Sequence, residues 1–174
     1  AERELHPLVD RRRFDPPQEI SLPHERITLR LNGDELQIET VPTNGSRSAH
    51  AVCRVIGVDP VVQYLVPFAG GRFQNAPVAY DPRTESWFHV FGSEERRPGE
   101  WGHWTGRGMN WNSMCAQCHN TAVRKNYNAA SDRYATAMVE RGVGCEACHG
   151  PLRDHVIWQR QNRNRTQDPT LTRP

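Results

Sequence analysis

Hydrophobic and polar residues alternate along the first half of the chain with the two-residue period of a β-strand. Between positions 26 and 41, apolar residues occupy every second position on both sides of Asn32-Gly33. An Asn-Gly pair between two alternating runs is typical of a tight hairpin turn. The pattern therefore predicts a β-hairpin from Arg26 to Val41.

Further apolar runs follow the hairpin. A valine-rich stretch covers Ala51 to Val66, and the proline at position 60 prevents a long helix there. Two shorter runs, at 78–80 and 87–91, flank an Asp81-Pro82-Arg83 turn. Residues 1–98 are thus predicted to form a small β-rich module.

The pattern changes from Trp101 onward, where no long window has strand or helix periodicity. A cluster of apolar residues around His155 predicts a short helix over 154–160. Residues 159–174 are almost free of apolar side chains, which predicts a solvated tail or an arm resting on a partner. We expect segments 1–98, 99–158 and 159–174 to form one compact unit.

Composition excludes several classes of protein. The chain has 174 residues, of which 36% are hydrophobic and 24% charged, and its mean hydropathy is −0.77. These values exclude a transmembrane helix and predict a thin core. With 13 glycines and 13 prolines the chain is no helical bundle. A net charge of +2 gives no strong basic field, so we expect no nucleic-acid partner.

Four of the five cysteines lie in two copies of one short motif. The copies are Cys115-Ala116-Gln117-Cys118-His119 and Cys145-Glu146-Ala147-Cys148-His149. C-x-x-C-H is the attachment signature of haem c: both thiols bond the porphyrin edge and the histidine ligates the iron. The motifs predict two covalently bound haem c groups, with His119 and His149 as proximal iron ligands.

Other uses of these cysteines explain less. A four-cysteine zinc site leaves both motif histidines unexplained, and disulfides do so too. A thioredoxin-like redox role is disfavoured because neither C-x-x-C follows a hydrophobic strand or opens an apolar helix. The odd thiol, Cys53, has apolar neighbours, so we expect it to be buried rather than paired between chains.

Two porphyrins also change the expectation for the core. Their apolar faces are large enough to replace missing side-chain core, and we expect Trp101, Trp104 and Trp111 to pack on them.

A second iron ligand is needed at each haem that only transfers electrons. The candidates for this distal position are His103, His155 and His89, followed by His6, His24 and His50, with Met109 and Met138 as possible thioether ligands. The candidate partners of the haem propionates are Arg72, Arg107, Arg124 and Lys125.

The order of several runs resembles a known family. Gln63-Tyr64-Leu65-Val66-Pro67-Phe68 opens a run through Gln74, followed by His103-Trp104-Thr105-Gly106-Arg107-Gly108, Asn110-Trp111-Asn112-Ser113-Met114 and, after the second motif, Gly150-Pro151. This order resembles secreted multihaem c-type cytochromes, often fused to tetratricopeptide repeats and related to the tetrahaem electron-transfer cytochromes. Compared with that family, the chain looks like a two-haem core. The resemblance implies that His155, shortly after Gly150-Pro151, is a distal ligand, to another haem of this chain or of a neighbour.

These features predict an α+β fold with little regular secondary structure. A small N-terminal β-rich module, packed on haem, is followed by a haem-organised multihaem segment with short helices. The expected function is single-electron relay between redox proteins or other multihaem cytochrome subunits, with self-association possible. Because haem c is attached outside the cytoplasm, we expect an exported protein, periplasmic or at the outer cell surface. The charged start at Ala1 has no apolar signal region, which predicts a mature chain.

Two other functions remain open from the sequence. One is an enzyme with an open iron that reduces a nitrogen or sulfur oxyanion or peroxide, with Arg107, His103 or Tyr127 as nearby donors. The other is a structural or assembly subunit whose haems mainly hold the fold together.

Overall fold

The structure is a computed structural model that describes residues 2–4, 10–163 and 168–170. Its strands are β1 (Glu2–Glu4), β2 (Gln18–Ser21), β3 (Glu25–Asn32), β4 (Glu35–Pro42), β5 (Ser48–Ala51), β6 (Arg54–Ile56), β7 (Val62–Phe68), β8 (Arg72–Asp81), β9 (Ser86–His89), β10 (Tyr127–Asn128) and β11 (Arg133–Tyr134). Its α-helices are α1 (Trp111–Met114), α2 (Ala116–His119), α3 (Glu146–His149) and α4 (Arg153–Gln161), and 3-10 turns cover Arg11–Phe14, Ala69–Gly71 and Arg107–Met109.

The predicted hairpin is confirmed as the centre of a four-stranded antiparallel sheet. Strands β3 and β4 pair from Glu25 opposite Pro42 to Asn32 opposite Glu35, and the sheet order is β2-β3-β4-β5. Gly33 lies in the turn with a φ of 59°, a conformation that glycine adopts without steric cost. The alternating apolar side chains of β3 and β4 are buried on one face of this sheet.

A five-stranded antiparallel sheet, in the order β1-β6-β7-β8-β9, has protein on both faces. Val55 of β6 belongs to one hydrophobic cluster and its neighbour Ile56 belongs to another. Tyr64 and Leu65 of β7 divide in the same way. Because successive side chains of a strand point to opposite faces, the two clusters lie on opposite sides of this sheet.

The larger cluster fills the space between the two sheets. Its members include Phe14, Ile27, Leu29, Leu36, Ile38, Val52, Val62, Val66, Ala76, Val78 and Tyr80. Trp104 also belongs to it and is 1% exposed. The ring of Trp104 meets those of His50 and Phe68 edge-on, at 5.4 and 6.0 Å between centroids. The expectation that Trp104 packs on a porphyrin is therefore wrong, because the β-rich module takes it into its own core.

The smaller cluster joins the second half of the chain to the other face of the five-stranded sheet. Trp111 of α1 and Ala116 of α2 are fully buried there with Ile56 and Leu65. The ring of Trp111 also meets Phe73 edge-on at 5.9 Å. Trp111 and Ala116 are thus buried against the sheet. They fix α1 and α2 to the β-rich module.

The second half contains short helices, as predicted, and one unpredicted hairpin. Helix α4 covers the predicted 154–160 and continues to Gln161, beyond the predicted start of the polar tail. Strands β10 and β11 pair over two residues each, too few for a visible alternation. His6 and half of the predicted tail, residues 164–167 and 171–174, lie outside the described residues. Among the described residues, no helix combines the length and the hydropathy needed to cross a bilayer.

Candidate functional site

Both C-x-x-C-H motifs are built in the same way. Helix α2 starts directly after Cys115 and helix α3 directly after Cys145. In each motif the histidine N–H donates to the carbonyl of the first cysteine, at 3.2 Å for His119 and 3.0 Å for His149. One helical turn places residues three apart on the same side, so each cysteine pair can reach one porphyrin edge.

The thiols of the motifs are accessible. Cys118, Cys145 and Cys148 are exposed, whereas Cys115 is half-buried beside the smaller cluster. No group of three or more His, Cys, Asp or Glu side chains could hold a metal ion within the part of the chain that the structure describes. The two cysteine pairs are therefore not combined into one cluster, as a four-cysteine zinc site would require.

Exposed apolar side chains concentrate around the motifs. Among the described residues, seven of the nine exposed large hydrophobic side chains lie between positions 101 and 157. Trp101 and Val139 are each 70% exposed and Val143 is 62% exposed. A shallow cavity of about 560 Å³, lined by residues 140–144, lies directly before Cys145. Thiols, imidazoles and bare apolar surface together fit haem c, whose large apolar faces need such partners.

His103 is placed in the protein interior. Its side chain is 4% exposed, and Nε2 lies 3.0 Å from Glu25 Oε1 of β3. Nδ1 accepts a hydrogen bond from the Thr105 N–H at 3.3 Å and lies 2.8 Å from the Thr105 hydroxyl. Since Nδ1 accepts, Nε2–H is the donor to Glu25. Both ring nitrogens are engaged, so ligation by His103 would require breaking this buried pair.

His155 has the opposite arrangement. It lies on α4, its Nδ1 is 2.6 Å from Asp168 Oδ2, and its side chain is partly exposed. Among the described residues no hydrogen bond reaches Nε2. A carboxylate at Nδ1 holds the imidazole in the tautomer whose Nε2 lone pair is available to a metal. The Nδ1 contact also shows that Asp168, inside the predicted solvated tail, returns to the folded unit.

The other candidate histidines lie in the β-rich module. His89 ends β9, with Nδ1 3.2 Å from the carbonyl of Gly92, and His24 Nε2 is 3.1 Å from Glu95 Oε2. Both line a small cavity of about 70 Å³. His50 stacks on Phe68 at 5.2 Å, and burial lowers its pKa. The structure brings none of these three together with a motif through a hydrogen bond among the described residues.

Two predicted propionate partners meet a carboxylate of the protein instead. Arg72 and Arg107 both pair with Asp132, and the Tyr127 hydroxyl donates to Asp132 Oδ1 at 2.7 Å. The hydrogen bond from Tyr127, with help from both arginines and against partial desolvation, lowers the pKa of Asp132. The same hydrogen bond raises the pKa of Tyr127. Arg124 is exposed, and its backbone pairs with Ala137.

The two methionines and Cys53 have protein surroundings as well. Met109 Sδ accepts from Arg96 at 3.1 Å, and Met138 packs against the smaller cluster. Cys53 is partly buried, and its Sγ lies 3.4 Å from the Leu65 carbonyl oxygen, in partial agreement with the expected burial.

Sequence reasoning missed three carboxylates at this site. Glu25, Asp132 and Asp168 hold His103, Arg72 and His155, at separations of 78, 60 and 13 residues. No local motif precedes any of them, because each contact is made by tertiary folding. The single signal available was the surplus of histidines and arginines, which need partners when they are buried.

Comparison with known proteins agrees with the motifs. The family model described as "Cytochrome c554 and c-prime" matches residues 99–150, a little under a third of the chain, and both C-x-x-C-H motifs lie inside the match. No curated protein and no solved structure matches the chain. The family match indicates a c-type cytochrome, a class of electron carrier with covalently bound haem c.

Proposed function

We propose that the protein is a dihaem c-type cytochrome that relays single electrons between redox partners. The observation that carries the proposal is the pair of separate C-x-x-C-H sites with the same helical geometry and accessible thiols. Cys115 and Cys118 would hold one haem, and Cys145 and Cys148 the other, with His119 and His149 on the irons. Haem supplies one-electron chemistry, and the chain supplies attachment, ligands and burial.

His155 is our leading distal ligand. The Nδ1 contact with Asp168 orients its imidazole and leaves Nε2 for an iron. His155 follows His149 by six residues on a separate helix, so its recipient is the other haem or one in a neighbouring copy. His89 is our second candidate for a distal ligand, since its Nε2 has no hydrogen bond among the described residues. His103 is the third candidate, because its buried hydrogen bonds would have to break before it could bind an iron.

Compartment and partners follow from the chemistry of attachment. Since haem c is attached outside the cytoplasm, we place the protein in the periplasm or at the outer cell surface. The exposed apolar residues around the motifs suit a haem-organised segment that faces other redox proteins or multihaem subunits, including a second copy of this chain. Such association would let a protein with only two haems pass electrons over a longer distance.

The enzyme alternative gains no support from the site. Each of the three donors proposed for an open iron contacts a carboxylate of the protein: Arg107 and Tyr127 meet Asp132, and His103 meets Glu25. None of them is held ready for an incoming oxyanion in this arrangement. Electron relay needs only six-coordinate irons and closely packed haems.

The test combines mass spectrometry with spectroscopy of the protein purified from a haem-attaching host. We expect the intact mass to exceed that of the polypeptide by two haems, and both ferric irons to be low-spin. A mass with no haem defeats the proposal, and a high-spin signal that shifts with cyanide or nitrite favours the enzyme. His155→Ala should convert one haem to high-spin, whereas the matched control His103→Ala should leave the spin state unchanged and lower stability.

A further inference from the structure

The two residues that directly follow the first motif hold the loop that leads into the second motif. Asn120 and Thr121 directly follow His119 and are almost completely buried. They contact residues 139–144, which end one residue before Cys145. The motifs are 30 positions apart in the chain, so this contact closes the intervening segment into a loop.

The backbone of Thr121 makes the first part of the contact. Its N–H donates to the Glu140 carbonyl at 3.1 Å, and its own carbonyl accepts from the Val139 N–H at 3.1 Å. These two bonds form an isolated antiparallel bridge outside any sheet. The bridge fixes where the loop crosses the end of the first motif, but not how the loop continues to Cys145.

The Thr121 hydroxyl sets that continuation. Oγ1 donates to the Gly142 carbonyl at 2.9 Å and accepts from the Gly144 N–H at 2.8 Å. The buried hydroxyl therefore both donates and accepts a hydrogen bond in the last turn of chain before Cys145. Gly142 has a φ of 114°, which favours glycine, so the loop can follow this path.

Asn120 ties the same loop to the first motif helix. Its Nδ2 donates to the carbonyl of Ala116 in α2 at 3.1 Å, and its Oδ1 accepts from the Gly142 N–H at 3.2 Å. One side chain thus spans from the helix that carries the first motif to the loop that carries the second. Buried side-chain amides that satisfy two backbone groups are costly to replace.

We infer that Asn120 and Thr121 are positioning residues that fix the second haem relative to the first. This inference rests on the proposed two-haem function, since it concerns the geometry between the two attachment sites. These buried hydrogen bonds tie the residues just before Cys145 to the residues just after His119, and so define where the second motif begins relative to the first. Electron transfer between the haems depends on that placement.

The measurement is circular dichroism in the Soret band of the holoprotein. Two porphyrins held close at a fixed angle give a paired positive and negative signal, whose amplitude reports their relative placement independently of activity. We expect this signal in the wild type. We expect Thr121→Val, which keeps the shape but loses both hydroxyl bonds, to lose at least half of the amplitude, while Thr121→Ser keeps it.

Thr136→Val is the matched control. The Thr136 hydroxyl also makes two hydrogen bonds, accepting from Asn112 at 2.8 Å and donating to the Lys125 carbonyl at 3.1 Å. Among the described residues it makes no hydrogen bond to the loop before Cys145. We expect it to lower stability and leave the Soret signal unchanged. A purely structural role of Thr121 would give the two valine variants the same spectrum and would overturn the inference.

Other outcomes separate this inference from the proposed function. If the intact mass of the wild-type protein shows no haem, the proposed function itself is contradicted. Wild-type protein with two haems but no paired Soret signal contradicts the inference alone. If Thr121→Val yields no holoprotein, Asn120→Ala replaces it: loss of the paired signal supports the inference, and an unchanged signal overturns it.

Discussion

The two halves of the molecule obtain their apolar contacts from different sources. In the β-rich module, residues 1–98, of which the structure describes 2–4 and 10–98, two antiparallel sheets enclose a cluster that includes Ile27, Leu29 and Leu36, each fully buried. Between residues 101 and 157, large side chains such as Trp101, Val139 and Val143 are exposed instead. The β-rich module is complete as protein, whereas the second half presents apolar surface around four cysteines.

The difference changes the meaning of the composition. A chain with 36% hydrophobic residues was expected to have a thin core throughout. The buried hydrophobic residues are instead distributed unevenly. Nearly all of them, with Trp104, form the core of the β-rich module, and few lie in the segment with the motifs. Exposed apolar surface that the proposed haems would cover is thus concentrated in one half of the molecule.

The largest expected effect comes from preventing haem attachment. Replacing all four motif cysteines by alanine should leave the β-rich module folded and expose the second half to proteases, because the proposed haems would no longer cover its apolar surface. Limited proteolysis followed by mass spectrometry should show cuts within 120–160 and a protected fragment covering 10–91. The wild-type holoprotein serves as the control. Equal protection of both halves in the variant would contradict the comparison.

The second expected effect concerns the buried pair that joins the halves. His103→Ala leaves Glu25 buried without its partner, a change that typically costs about 3–5 kcal/mol. Denaturant unfolding of the holoprotein would measure this loss. Glu25→Gln, which keeps a hydrogen-bond acceptor for Nε2–H, is the milder control. A stability equal to that of wild type, combined with a high-spin haem, would instead make His103 an iron ligand.

A third pair of variants separates the two cores. Leu29→Ala should cost about 2–5 kcal/mol, because it opens a cavity between the sheets. That cost should be the same with and without haem. Val143→Ala should stay within about 0.5 kcal/mol in the haem-free protein, where the side chain is exposed, and cost more in the holoprotein. Unfolding curves of both variants in both forms test this, and a haem-dependent cost for Leu29→Ala would argue against independent cores.

Local sequence patterns predicted the local structure well. The alternation around Asn32-Gly33 gave the hairpin, and the apolar cluster at His155 gave α4, because both depend on neighbours a few positions apart. The short helices expected in the second half are present at both motifs, as α2 and α3. Composition could not show that Trp104 belongs to the β-rich core, since that depends on how residues 90–110 cross the sheets.

The candidate site was predicted less completely than the fold. C-x-x-C-H specifies four cysteines and two histidines because its chemistry is local. Which candidate histidine keeps a ring nitrogen available depends on tertiary contacts: Glu25 engages Nε2 of His103, whereas Asp168 contacts Nδ1 of His155. Periodicity carries no information about such carboxylates, so sequence alone ranked the two histidines equally.

The smallest expected effect concerns the contact of the β10–β11 hairpin with Arg72 and Arg107. The Tyr127 hydrogen bond and both arginines lower the pKa of Asp132 below its ordinary value of 3.8. A lowered pKa in the folded state stabilises it above the unfolded pKa, and this contribution disappears as the pH falls through the folded pKa. Asp132→Asn should therefore lower the unfolding temperature slightly at neutral pH, and the difference from wild type should vanish in acid.

Tyr127→Phe tests the cause of that pH dependence. Without the hydroxyl, the pKa of Asp132 rises toward its ordinary value, so the stabilisation should disappear at a higher pH than in wild type. Unfolding temperatures measured from neutral pH to below the ordinary pKa of 3.8 would show the shift. An unchanged midpoint would assign the lowered pKa to the arginines. Because Asp132 is partly exposed, this effect should stay well below that of Leu29→Ala.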